Sequence, residues 1–65
     1  MPTKLYSQLI DILLANGCSF VRQGKGSHEI WQSPLNNARF PVAVTVKSKN
    51  TANAILRQAG ISTRI

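Results

Sequence analysis

The chain is short of the side chains that most catalytic and metal sites are built from. Its 65 residues hold one His, one Cys and two acids, Asp11 and Glu29. A lone Cys18 excludes an intramolecular disulfide, and one His with one Cys excludes the clustered ligand spacings of a structural zinc site. A carboxylate pair for acid–base work would need Asp11 beside Glu29, yet the first falls in a helical pattern and the second in an extended one. Long apolar runs are also missing. The stretch 9–15 is broken by Asp11 and falls far short of the ~20 residues a membrane span requires. The same shortness argues against a signal peptide, and an unpaired cysteine fits a reducing, cytoplasmic setting. No metal, no cofactor and no membrane contact is therefore expected.

Positive charge is plentiful. Eight Lys and Arg face the two acids, giving a formal net charge of +6. Charge of one sign at this density opposes compaction and favours a polyanionic partner: nucleic acid, an anionic surface or an acidic protein. A solvated basic surface without a ligand is the plainer alternative. The hydrophobic share of 43% is that of a folded chain, and the length is that of one domain, residues 1–65. So small a domain buries only roughly 60% of the surface its unfolded chain exposes, so a compact core or a partner has to supply its stability.

The pattern predicts α-β-β-β-α. Leu5, Leu9, Ile12 and Leu13 recur at spacings of three and four after Thr3, a candidate N-cap, and Asn16-Gly17 closes that helix. Residues 18–23 and 27–33 read as two strands of a hairpin around Gly24-Lys25-Gly26. Residues 39–46 alternate, with Phe40, Val42, Val44 and Val46 on one face. Pro41 confines that strand to an edge or its own start. Ser48 or Asn50 caps a second helix carrying Ala52, Ile55, Leu56 and Ala59, which Gly60 ends. Residues 62–65 are expected to be loose. These elements make an α+β fold: a three-stranded antiparallel sheet with two helices on one face and the other face open.

His28 is the strongest candidate for chemistry. It follows the loop Gly24-Lys25-Gly26-Ser27, and Trp31, three residues on, points to the opposite sheet face. If Trp31, the largest apolar side chain, packs under the helices, His28 is exposed beside Ile30 and Gln32. The reverse parity buries His28 and exposes Trp31. An exposed imidazole can give or take a proton near neutrality, and Arg22 and Lys25 could hold a phosphate as charge develops on it. RNA brings its own nucleophile, the 2′-hydroxyl, so positioning and one proton-transfer group carry much of the work. A second proton-transfer group is not evident; a lysine, a water or the substrate would serve. A nucleophilic Cys18–His28 pair is the less favoured alternative to Cys18 as a small buried residue.

Arg22-Gln23-Gly24-Lys25-Gly26-Ser27-His28, with Trp31 at the following aromatic position, resembles the RQKGSH…F signature of the HicA toxins. The segment 50–61, NTANAILRQAGI, resembles the family's closing GTLRSILKQAGI helix, and the apolar helix ending in Asn16-Gly17 also fits. The resemblance covers nearly the whole chain. It implies a fold like a double-stranded-RNA-binding domain and metal-independent ribonuclease cleavage of mRNA. It also implies His28 as the catalytic residue, Gly26 and Ser27 shaping the turn before it, and a HicB-like antitoxin that covers the site. Two departures stand out. Residues 44–49 are shorter than the family's Pro- and His-containing stretch and carry no such His, and Ala52 replaces a leucine. Lys47 and Lys49 in that short connector join Arg22, Lys25, Gly26 and Ser27 as expected RNA-binding residues. Two other functions fit the same composition: a non-catalytic RNA-binding module that reads A-form shape and phosphate, and an interaction partner of an acidic antitoxin.

Overall fold

A computed structural model describes residues 2–65. Its elements are α1 (Lys4–Ala15), β1 (Ser19–Gln23), β2 (His28–Gln32), β3 (Arg39–Ala43) and α2 (Lys49–Gln58). The expected α-β-β-β-α order is present as a small α+β fold, with one antiparallel sheet ordered β1-β2-β3.

Thr3 starts α1 as its sequence position suggests. Its Oγ1 accepts the Tyr6 N–H at 3.1 Å, and the same hydroxyl donates to the Val46 carbonyl at 2.6 Å. One residue thus caps the helix and ties it to the connection after β3. Leu9 and Leu13, one turn apart, are fully buried, whereas Gln8 and Asp11 face solvent. Both helices end in the same way: the N–H two residues past the cap returns to a carbonyl of the last turn, Cys18 to Leu13 at 3.0 Å and Ile61 to Leu56 at 2.9 Å. Ser48 occupies the N-cap position of α2, but its side chain makes no capping bond.

Strand pairing sets Phe20 opposite Trp31 and Trp31 opposite Phe40. Trp31, Phe40 and Val42 join Leu9, Leu13, Ile55 and Leu56 in one apolar cluster, so the two helices cover this face of the sheet. Phe20 stays half exposed at the β1 edge, its ring meeting Trp31 edge-on at 6.1 Å and 82°. Every buried side-chain polar atom among the described residues has a hydrogen-bond partner.

Two expectations are corrected. The third strand ends at Ala43, three residues before the alternation does. Its partner β2 begins at His28, opposite Ala43, so no strand lies alongside the next residues. The chain turns instead, with the Val46 N–H returning to the Ala43 carbonyl at 3.1 Å, and this turn still delivers Val46 to the core. The alternation reflected burial, which a turn can satisfy as well as a strand. The tail 62–65, expected to be loose, is held at its last residue. The Ile65 N–H donates to Oδ1 of the buried Asn53 at 2.8 Å, and Ile65 packs against the core.

Ser33, fully buried at the end of β2, links the sheet to α2. Its hydroxyl donates to the Ala59 carbonyl at 2.6 Å and accepts the Leu35 N–H at 3.2 Å. Ser33→Ala leaves both groups short of a partner and is expected to cost about 1–3 kcal/mol in urea unfolding, with an unchanged m-value.

Candidate functional site

The turn before β2 holds His28 by its backbone from several directions. The His28 N–H donates to the Lys25 carbonyl at 3.0 Å, closing a four-residue turn in which Gly26 takes a left-handed φ of 58°. The His28 carbonyl accepts the Gly24 N–H at 2.9 Å and Nε2 of Gln23 at 3.0 Å. A Cβ at Gly24 would stand 3.1 Å from the His28 carbonyl oxygen, a tight contact that glycine avoids. Across the sheet edge the Ser27 carbonyl accepts the Val44 N–H at 2.9 Å. Gly24, Gly26 and Ser27 thus fix where β2 begins, and the imidazole leaves from its first, exposed residue.

Parity is read from Glu29 and Trp31 together. Oε1 of Glu29 accepts the Tyr6 hydroxyl at 2.6 Å and the Trp31 indole N–H at 3.1 Å, and Trp31 is 5% exposed. Glu29 and Trp31 therefore face α1, and His28, Ile30 and Gln32 face the opposite way. The reading that buries His28 is excluded. Burial, then the hydrogen bond to Glu29 and its charge, push the Tyr6 phenol up to about 12.

The open face reads across the strands as Ser19–Gln32–Arg39, Arg22–Ile30–Pro41 and His28–Ala43. Arg22 reaches it through an irregularity. In a regular strand Phe20 and Arg22 would share a face, but a bulge between them puts Phe20 opposite Trp31 and Arg22 opposite Ile30. Arg22 and His28 thereby lie on one surface. Lys25 is exposed in the adjoining turn. Lys47 is exposed in the β3–α2 connection and Lys49 at the first residue of α2.

Beside His28 lies a groove of about 220 Å³. Pro41 and Ala43 line it from β3, and Thr51, Ala54, Ile55 and Gln58 from α2. The α2 residues follow i, i+3, i+4, i+7 spacing, one stripe of a helix, so α2 reaches the free edge of β3 and borders the open face. Sequence reasoning missed this stripe and Arg39. The parity of Arg39 with Pro41 and Ala43 was a usable signal for the arginine; the helix stripe needed the packing of α2 on β3.

Other pairings do not form. Cys18 is buried beside Ser19, whose partner Gln32 lies at the opposite end of β2 from His28, so no Cys–His pair exists. Asp11 is exposed on α1 while Glu29 is engaged by Tyr6 and Trp31. Among the described residues no three His, Cys, Asp or Glu side chains converge, and no helix is long and apolar enough to cross a membrane.

A family model described as the HicA toxin of bacterial toxin–antitoxin systems matches residues 6–61. No curated protein and no solved structure gives a significant match.

Tyr6 is the sole tyrosine, so its ionisation can be followed alone at 295 nm. The expected midpoint is near pH 12 in the folded protein, against the ordinary 10.0. A phenol raised on folding stabilises the fold below pH 10, and that contribution is lost as pH climbs from 10 towards 12. Glu29→Gln should lower the midpoint while leaving part of the elevation, because burial is its first cause.

Proposed function

This chain belongs to the HicA toxin family, and we propose that it acts as a metal-independent endoribonuclease on mRNA, with His28 as the proton-transfer residue. The observation that carries this reading is the placement of an exposed His28 on the uncovered sheet face together with Arg22, next to a turn that offers Lys25. In this mechanism a phosphate of the RNA lies against Arg22, Lys25 and the Gly26-Ser27 turn, and Lys47 and Lys49 draw the flanking backbone by charge. The 2′-oxygen attacks phosphorus, the bond to the 5′-oxygen breaks, and the products carry a 2′,3′-cyclic phosphate and a 5′-hydroxyl. His28 accepts the 2′ proton or protonates the departing 5′-oxygen, and water does the other. The groups in place supply positioning and cationic stabilisation without a metal.

The whole chain would act as one domain, in the cytoplasm where mRNA is translated. A HicB-like antitoxin would neutralise it by covering His28, and its acidic surface would meet the +6 charge. A non-catalytic RNA-binding module is the second reading. It is favoured by one observation: the groove beside His28 is lined by no other titratable side chain.

Cleavage of a long RNA in EDTA tests the proposal. Wild type is expected to cut, to inhibit growth when expressed alone, and to spare RNA carrying 2′-deoxyribose at the cut positions. His28→Ala should keep its circular dichroism spectrum and lose about 10²- to 10⁴-fold in rate. Equal cutting by the two proteins would remove His28 from the chemistry, and binding without cutting by either would favour the second reading.

A further inference from the structure

The groove between β3 and α2 is left over once His28, Arg22 and Lys25 have been given the phosphate. It opens beside His28, and its walls come from Pro41, Ala43, Ala54 and Ile55, with Thr51 and Gln58 as its uncharged polar groups. Two of the four apolar side chains are alanines, and their small size is what keeps the space open. At about 220 Å³ it is smaller than the clefts of about 300–1,000 Å³ that hold drug-sized ligands, so it suits a single flat ring. Its chemistry is that of a base pocket: apolar surface for the ring faces, and an amide and a hydroxyl for the ring edge. A glutamine amide offers a donor and an acceptor side by side, which is how side chains read a base edge. Charge complementarity points to the same occupant. His28, suited to the phosphate of the same nucleotide, lines the groove, Arg22 shares the same sheet face across β2, and no acid lines the groove.

We propose that this groove is a nucleobase subsite, and that Gln58 and Thr51 set which base lies next to the cleaved phosphate. The inference rests on RNA being the substrate. The base would be splayed out of its stack, as sequence-selective readers of single-stranded RNA require. Ile55 is buried at 6% exposure and fixed by the core, so one wall is rigid, while Gln58 is exposed and free to follow the base edge. Gln58 is held in place through its backbone, whose carbonyl accepts Nδ2 of Asn36 at 2.9 Å. Substituting its side chain therefore leaves that anchor intact.

The test uses the full chain and the four nucleoside 3′-monophosphates, followed by amide and methyl chemical shifts. One base is expected to bind tightest and to move the signals of Thr51, Ala54, Gln58 and His28. Ala54→Leu fills the groove with a good helix former and should abolish those shifts while the rest of the spectrum stays native. On RNA, Gln58→Ala should narrow the preference between the best and worst base at the cut position by about tenfold, with cutting retained. Shifts confined to Arg22 and the 24–27 turn, equal for the four nucleotides, would overturn the subsite while leaving the ribonuclease reading untouched. So would RNA cleavage with a site pattern unaltered by Ala54→Leu and Gln58→Ala. Base-selective shifts in the groove without cleavage of any RNA would uphold the subsite and sink the ribonuclease reading instead.

Discussion

One buried face of the sheet, closed by Trp31 and tied to α1 through a single carboxyl oxygen, sets which way this protein faces. Oε1 of Glu29 takes the hydroxyl of Tyr6 from α1 and the indole N–H of Trp31 from its own strand. Side chains alternate along a strand, so fixing residues 29 and 31 towards the helix fixes 28, 30 and 32 away from it. A slip of one residue would bury His28 and expose Trp31. Of the two acids in the chain, one is thus spent on orientation, and the open face is left with cationic and neutral groups.

That orientation becomes useful through two irregular features of the backbone. The bulge in β1 moves Arg22 onto the face of His28 while Phe20 stays against Trp31. In the turn at 24–27, Gly24 avoids a tight contact with the His28 carbonyl and Gly26 takes a left-handed φ. The backbone of this arrangement is tied by local hydrogen bonds, and the side chains of Arg22, Lys25 and His28 extend from it into solvent.

Much of this was legible in the sequence because it depends on local rules. Thr3, Asn16-Gly17 and Gly60 marked the helix ends, and Pro41 marked an edge strand, which β3 is. The exposure of His28 followed from the bulk of Trp31, since so small a core can hardly omit its largest apolar residue. What could not be read was non-local. The bulge exists only in the pairing of β1 with β2, and β3 stops at Ala43 because its partner starts at His28. The tail is held at Ile65 by Asn53, a polar residue of α2 whose burial depends on how the chain end folds back.

On the proposed reading, the uncovered sheet face meets RNA. Ultraviolet crosslinking of single-stranded RNA to the His28→Ala protein, with the attached peptides mapped by mass spectrometry, addresses it directly. The account predicts crosslinks on the peptides holding Arg22, Lys25, Ile30 and Arg39. Crosslinks confined to the outward surface of α1, around Gln8 and Asp11, would contradict it.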